Sequence, residues 1–242
     1  MASTPVLPIS TSVLQPDSNL TTEELNSYYP FLCSWSGGKD SYFAFYKAIQ
    51  NGAIPKVLFN VMNEHGDRSR SHGIPREVLL EQASCLGLPI EFIESTWSEY
   101  EQRFIAKLKD LKAAYEFTHA VYGDIDIQSH RDWEEKVSTA ADLTAVLPLW
   151  QGDRLNLVHD MIDCGIRALI VSCRAEYADQ ILGKYIDKNL ISVFEQLGID
   201  ACGENGEYHT LVADGPAHKR PLIIDRGKQV THGHYSFLEL TL

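Results

Sequence analysis

The stretch SGGKDS at residues 36–41 directly follows the apolar segment Phe31-Leu32-Cys33, which is typical of a strand. Glycine tolerates positive φ and lets backbone N–H groups approach a ligand closely. A glycine loop that opens a helix also presents unpaired N–H donors and the positive end of the helix dipole, and Lys39 adds a full charge. The stretch therefore predicts a phosphate cradle, although the GxxxxGK[ST] spacing of a Walker A loop is absent. The alternative is a glycine turn that lies beside a lysine by chance.

Apolar runs that predict strands alternate with helical patterns along the chain. The predicted strands include residues 56–62, 88–93, 120–122, 168–173, 222–224 and 237–240. This order predicts an α/β fold with an open, doubly wound parallel sheet. Ligands of such sheets bind at the carboxyl ends of strands, near a switch in strand order. SGGKDS and Gly123-Asp124 both follow predicted strands, so we expect them on the same rim of the sheet.

The chain divides into three predicted parts. Residues 1–29 are rich in Ser, Thr and Pro and predict a flexible tail, with no pattern of a signal peptide. Residues 30–147 carry the alternating strands and helices and predict a nucleotide-binding domain. The run Val146-Leu147-Pro148-Leu149-Trp150 interrupts that rhythm. Residues 148–242, which contain more turn-forming glycines, therefore predict a smaller C-terminal α/β domain that binds the substrate.

Charge and cysteine usage limit the class of protein. The chain has 21 Lys and Arg against 33 Asp and Glu, a net charge of −12 with His neutral. An acidic surface repels a nucleic-acid backbone, so no nucleic-acid partner is expected. The five cysteines are scattered without a CxxC pair, which disfavours disulfides and structural zinc and indicates a reducing cytoplasm. No apolar run has the length of a membrane-spanning helix, so no membrane partner is expected.

Two polar groups in the sequence are candidates for chemistry. His130 and Glu134 are four residues apart and so share one helix face, which we expect to lie opposite Trp133 and Val137. The segment 203–210 contains two carboxylates, an imidazole and a hydroxyl between glycines, which suits a general base. The alternatives are a solvated helix face and an ordinary turn network.

SGGKDS resembles the pyrophosphate-binding loop of the PP-loop ATPases, which are adenine nucleotide alpha-hydrolases. Further motifs look like those of the diphthine–ammonia ligase family, also called the diphthamide synthase domain, over about residues 30–225. They lie at residues 122–125, 130–134, 148–150, 203–212 and 214–216. The resemblance implies a cytoplasmic ligase that cleaves ATP to AMP and pyrophosphate, adenylates a carboxylate and forms an amide with ammonia. In that family the carboxylate belongs to diphthine on elongation factor 2.

The resemblance also implies roles for individual residues. Nucleotide binding falls to Ser36, Gly37, Gly38, Lys39, Asp40, Ser41, His72 and Gly123. Mg²⁺ would be held by Asp124 and Asp40. The substrate would be bound by His130, Arg131, Glu134 and Thr210, with catalysis by Lys39, Glu204, Glu207 and His209. Lys39 would neutralise the charge that develops on the triphosphate.

The chain departs from the family pattern at two positions, where ENGEYHT carries Asn205 and His209. Members that make diphthamide have glycine and glutamate there. The ENGEYHT version resembles a bacterial branch linked to cobalamin metabolism, so a small acid is the second candidate substrate. A sulfur-transfer or nucleic-acid-modifying PP-loop enzyme and a non-catalytic ATP-binding sensor are competing hypotheses. A homodimer is possible.

Overall fold

A computed structural model describes residues 28–242 of the chain. Most of the predicted tail, residues 1–27, therefore lies outside the described residues. The last tail residue, Tyr29, belongs to the fold. Its carbonyl accepts the N–H of Ile54 at 2.9 Å, and its ring lies 4.1 Å from that of His119. The prediction of a loose tail is thus wrong at Tyr29.

A five-stranded sheet forms the first half of the described chain. Its strands are β1 (Pro30–Ser34), β2 (Ile54–Met62), β3 (Ile90–Glu94), β4 (His119–Val121) and β5 (Thr144–Val146). All neighbours run parallel, in the order β3-β2-β1-β4-β5. The strand order reverses between β1 and β4, which places a crevice beyond their carboxyl ends. SGGKDS follows β1 and Gly123-Asp124 follows β4, so both segments lie at this crevice.

Helices cover both faces of the parallel sheet. They are α1 (Lys39–Gln50), α2 (Arg76–Leu86), α3 (Tyr100–Tyr115) and α4 (Gln128–Ala140). Buried residues of α1 and α2 pack with Phe31 and Cys33 on one face, and those of α3 and α4 pack with Leu32 on the other. Successive residues of a strand point to opposite faces, which explains how β1 supplies both cores. The predicted doubly wound α/β fold is confirmed.

The second half of the described chain contains a four-stranded antiparallel sheet. Its strands are β6 (Arg167–Arg174), β7 (Tyr208–Asp214), β8 (Asp225–His232) and β9 (Tyr235–Thr241), in the order β7-β6-β9-β8. Its helices are α5 (Arg154–Asp163), a 3₁₀ turn (Ala175–Tyr177), α6 (Ala178–Ile181) and α7 (Lys188–Leu197). The strand predicted at residues 222–224 is wrong. Leu222 is buried, but Ile223 is 74% exposed and pairing begins only at Asp225.

The two halves share one apolar core, because buried residues of α5, α7, β6 and β7 pack in the same cluster as those of α1 and α2. Among residues 28–242, no helix is long and apolar enough to cross a membrane.

Candidate active site

The loop at residues 36–41 is held in shape by its own hydroxyl groups. Gly37 has φ +84°, a conformation that favours glycine. The Gly38 N–H donates to Ser36 Oγ at 3.2 Å, and Ser41 Oγ donates to the Gly38 carbonyl at 3.1 Å. The two hydroxyls also lie 3.0 Å apart. Helix α1 begins at Lys39, so the N-terminus of the helix lies at the crevice, where a phosphate cradle was predicted.

Strand β7 of the second sheet hydrogen-bonds to this loop and stabilises it. The Val212 N–H donates to the Gly37 carbonyl at 2.9 Å, and Thr210 Oγ1 accepts the Lys39 N–H at 3.0 Å. The fully buried Gln82 amide donates to both carbonyls, Gly37 at 2.9 Å and Val212 at 2.7 Å. Thr210, predicted to bind substrate, thus has a clear contact with the loop backbone.

Lys39 is buried between the loop and the second half of the chain. Its Nζ lies 3.0 and 2.8 Å from the two carboxylate oxygens of Asp40 and also donates to the Cys202 carbonyl. The centre of the Tyr208 ring lies 5.3 Å from Nζ. Burial by itself lowers the pKa of Lys39, but the neighbouring Asp40 carboxylate reverses this and the pKa ends above its ordinary value. Lys39 is therefore a permanent cation at the edge of the cavity.

A cavity of about 760 Å³ opens between the loop, α3, α4 and the segment 202–210. Twelve of the residues predicted for the site line it, and nine of these come from the first half of the described chain: Ser36, Lys39, Asp40, Ser41, His72, Gly123, Asp124, His130 and Glu134. From the second half of the chain Glu204, His209 and Thr210 line it as well. Residues far apart in the sequence thus meet around one space.

Gly123 lets β4 approach the phosphate loop. A Cβ atom at this position would lie 2.7 Å from both Asp40 C and Ser41 N. Because these are backbone atoms at the start of α1, no side-chain rotation would relieve the contact. The absence of a side chain at Gly123 therefore sets the spacing between the end of β4 and the start of α1.

Asp124 is the centre of a group of three titratable side chains. His130 Nδ1 lies 2.7 Å from Asp124 Oδ1, and Glu134 hydrogen-bonds to the same carboxylate. Burial, and then Asp124, raise the pKa of Glu134 to about 11, so it is a neutral acid and donates the proton. Burial alone would raise the pKa of Asp124, but hydrogen bonds from His130 and Glu134 bring it below its ordinary value. The hydrogen bond to Asp124 in turn raises the pKa of His130.

The orientation of α4 differs from the expectation. His130 and Glu134 both contact the Asp124 carboxylate, as their shared helix face predicted. However, Glu134 is buried, as Val137 is, and Trp133 lines the cavity together with His130 and Glu134. The expectation that Trp133 and Val137 lie on the opposite face is wrong. Arg131 contacts Glu135 at 2.6 Å and lies over the ring of Trp150, outside the lining of the cavity.

The segment 203–210 divides into two kinds of residue. Glu204 lines the cavity, and burial followed by the charge of Asp40 raises its pKa to about 7. Glu207 is buried within the turn instead. Its Oε2 accepts the Asn205 N–H at 3.0 Å, and its Oε1 accepts the Asp200 N–H at 3.3 Å. For Glu207 the structure thus shows the turn network that was the alternative to catalysis.

His72 and His209 form a pair of neutral imidazoles in the wall of the cavity, next to the loop. Their ring centres lie 4.7 Å apart. His72 Nδ1 lies 2.8 Å from the Thr210 carbonyl, so Nδ1 carries the hydrogen and donates it. Burial lowers the pKa of His72 to about 4 and that of His209 to about 3, and the charge of Lys39 adds to both effects. His72 Nε2 thus keeps a free lone pair at neutral pH.

Two features of the site were missed by sequence reasoning. Trp97, Tyr100 and Trp133 form an aromatic wall of the cavity, with ring centres 5.8 and 5.5 Å apart in that order. A smaller recess beside Ser36 contains Asn60 and Arg70. Within residues 28–242, the buried atoms Asn60 Oδ1 and Arg70 Nε have no hydrogen-bond partner. An asparagine inside the apolar run 56–62 was the signal for this recess.

The carboxylates of the cavity are the candidate ligands of a metal ion. Among the described residues, no group of three or more His, Cys, Asp and Glu side chains is arranged to hold a metal ion. Asp124 and Asp40 nevertheless line the same cavity. Mg²⁺ typically takes one or two carboxylates and completes its shell with phosphate oxygens and water, so this donor set fits Mg²⁺.

The fold and the cradle define a doubly wound α/β protein with a glycine-containing loop at the switch in strand order. Residues 31–144 match the family model described as the diphthamide synthase N-terminal domain, and residues 153–241 match the diphthamide synthase C-terminal domain. The chain therefore belongs to the diphthamide synthase family. The resemblance seen in the motifs is confirmed.

Similar proteins include several named diphthine–ammonia ligase. The one from Mus musculus is 30% identical over 228 residues, covering 84% of this chain and 85% of its own. The one from Danio rerio is 26% identical over 227 residues, covering 84% and 89%. The one from Schizosaccharomyces pombe is 27% identical over 225 residues, which cover 81% of this chain but 36% of that longer protein. A solved chain titled as a tRNA methyltransferase subunit from Methanocaldococcus jannaschii has 14% identity and a TM-score of 0.40, too low to inform function.

Proposed function

We propose that this chain is an ATP-dependent, AMP-forming ligase that adenylates a substrate carboxylate and joins it to ammonia. The observation that carries the proposal is that Lys39, at the start of the phosphate cradle, contacts the carbonyl of Cys202 in the second half of the chain. The cradle and Glu204 thus face one cavity, which suits a reaction between a nucleotide and a second substrate.

The proposed nucleotide would extend across the two neighbouring spaces. The triphosphate would lie against the loop and the positive end of the dipole of α1, with Lys39 beside it. Adenosine would enter the recess next to Ser36, which Asn60 and Arg70 line. The two spaces share Ser36, His72 and Tyr100 in their linings, so one molecule can extend from one into the other.

Mg²⁺ would be held by Asp124 and Asp40, and when bound it would neutralise charge on the departing pyrophosphate. In the proposed reaction a substrate carboxylate oxygen attacks the α-phosphorus and the bond to pyrophosphate breaks. Ammonia then attacks the acyl carbon, and the C–O bond to AMP breaks. Lys39 stabilises negative charge on the transferring phosphate.

Ammonium must lose a proton before it can attack. Glu204, with a pKa of about 7, is half in its basic form at neutral pH and lines the cavity, so we assign it this role. His209 is neutral and also lines the cavity, where its imidazole would accept a hydrogen bond from ammonium without taking the proton. Glu207 contributes by holding the turn that carries Glu204.

The relatives' name suggests diphthine on elongation factor 2 as the source of the carboxylate. His209 at the cavity wall, where diphthamide-making members have glutamate, favours a small acid of the cobalamin pathway as the second candidate. The five cysteines are free, which supports the predicted cytoplasmic setting. The homodimer stays a prediction.

The test is the identity of the nucleotide product. The protein is incubated with ATP, Mg²⁺ and ammonium, with or without a diphthine-bearing elongation factor or a corrinoid acid, and AMP is separated from ADP. We expect AMP and pyrophosphate with one carboxylate only. Lys39→Met should abolish this product, whereas Lys228→Met, on the exposed strand β8, should not. Formation of ADP, or ATP binding without AMP for every acid, would contradict the proposal.

A further inference from the structure

Arg154 connects two loops that carry site residues. It is the first residue of α5, and its guanidinium lies between Asp126 and Asp200. Nε and Nη2 donate to the two oxygens of Asp126 at 2.7 and 2.6 Å, and Nη1 donates to Asp200 Oδ2. Such a two-pronged contact fixes the direction of a carboxylate as well as its distance. Asp126 and Asp200 come from opposite halves of the chain.

Each aspartate is directly linked to the cavity. Asp126 lies two residues after Asp124, in the same segment between β4 and α4. Asp200 Oδ1 accepts the N–H of Cys202 at 2.7 Å, and the carbonyl of Cys202 accepts Lys39 Nζ. The Cys202 thiol in turn donates to the carbonyl of Arg154 at 3.1 Å. Hydrogen bonds therefore run without a gap from Asp126 through Arg154 to Lys39.

We propose that Arg154 is a positioning residue that holds Asp124, Lys39 and Glu204 in fixed relation around the cavity. Arg154 is absent from the lining of the cavity, so it acts through the two loops. Lysine cannot replace it fully, because one ammonium cannot match a carboxylate side-on and reach a second carboxylate as well. This inference depends on the proposed function only where it predicts that a change at Arg154 lowers turnover. The structural part of the inference is that Arg154 links residues 123–127 to residues 200–206, and this part does not depend on the proposed function.

The coupling is measured by hydrogen–deuterium exchange of the full chain, in peptides that cover these two segments. Asp126→Asn weakens one side of the guanidinium, so we expect exchange to rise several-fold in residues 123–127 and also in residues 200–206. Arg154→Met should raise exchange about tenfold in both. Arg103→Lys alters an exposed ion pair on α3 and should change neither segment. If Asp126→Asn loosens its own segment alone, the proposal is wrong, even if Arg154→Met fails to fold.

Turnover gives the second readout. A displacement of about 1 Å costs about 100-fold in rate, so we expect Arg154→Met to lower kcat by ten- to 100-fold. KM for ATP should change less than threefold, because hydrogen bonds with Ser36, Ser41 and Thr210 hold the cradle without Arg154. Arg154→Lys should recover part of kcat. A loss confined to KM would overturn the assignment. If the wild type forms no AMP at all, the proposed function fails, and the exchange experiment still decides the coupling.

Discussion

Replacing Gly123 by alanine tests whether β4 must touch the phosphate loop. The φ of Gly123 lies outside the left-handed region, so alanine adds a methyl group without backbone strain. That methyl carbon would lie 2.7 Å from Asp40 C and Ser41 N, whereas ordinary contacts begin at 3.4 Å. The start of α1 must therefore retreat by 3.4 − 2.7, or about 0.7 Å. This moves the cradle away from Asp124.

The size of the effect follows from that displacement. A misplacement of about 1 Å can lower the rate by about 100-fold, or about 2.7 kcal/mol of activation free energy. We expect Gly123→Ala to lower kcat/KM for AMP formation by between ten- and 100-fold. Overpacking of this kind costs about 1–3 kcal/mol of unfolding free energy. In a chain of this size the melting temperature falls by roughly 2–4 °C for each kcal/mol, so the protein stays folded during the assay.

The assay compares AMP formation, affinity for a non-hydrolysable ATP analogue and thermal unfolding in three proteins: wild type, Gly123→Ala and Gly227→Ala. Gly227 lies on the exposed strand β8, and its added Cβ would meet the side chain of Glu239. The control should keep full activity. A folded Gly123→Ala protein with wild-type kcat/KM would refute the reasoning, because it would show that the cradle works without this spacing.

Two further predictions concern pH. Because Glu204 has a raised pKa of about 7 and is proposed to act as a base, kcat should rise as pH increases through 7. The Glu204→Gln protein should lose that rise. If kcat of this variant depends on pH between 5.5 and 8.5 in the same way as kcat of the wild type, Glu204 is not the base. His72 and His209 have folded pKa values of about 4 and about 3, below the unfolded value, so the unfolded chain takes up protons first as pH falls. The free energy of unfolding should therefore decrease as pH falls from about 6.5 towards 4, and urea titrations should show a smaller decrease for His72→Asn; an equal decrease would mean that His72 is not kept neutral by the fold.

Local sequence patterns predicted four of the five strands of the parallel sheet, all except β5, and the position of the loop. Apolar runs at β2 and β4 and the helical spacing of α2 depend on neighbours within a few residues, which the sequence states directly. The parallel order then places SGGKDS and Gly123-Asp124 at one rim. The strand predicted at residues 222–224 failed because three apolar residues also suit an extended segment that buries Leu222 and leaves Ile223 exposed.

The sequence did not predict the direction in which individual side chains point. Glu204 and Glu207 belong to the same short motif, yet the first faces the cavity and the second accepts backbone N–H groups inside the turn. Likewise Glu134 faces Asp124, whereas Arg131 contacts Glu135. Nothing in the spacing separates these outcomes, because each depends on which partner the fold brings within hydrogen-bonding distance.

The sequence by itself therefore determined the α/β class, most elements of the parallel sheet and the position of the cradle, since periodicity and turn chemistry are local. Strands β5, β7 and β8 and helix α5 were not predicted. Only the tertiary structure decided which charges meet. It brought Lys39 to the Cys202 carbonyl and Arg154 between Asp126 and Asp200, contacts that join residues 28 to 163 positions apart. The pKa values of Glu204 and of the two buried histidines likewise come from burial and from neighbours that are distant in the chain. Burial and charge depend on three-dimensional packing, which no short stretch of sequence contains.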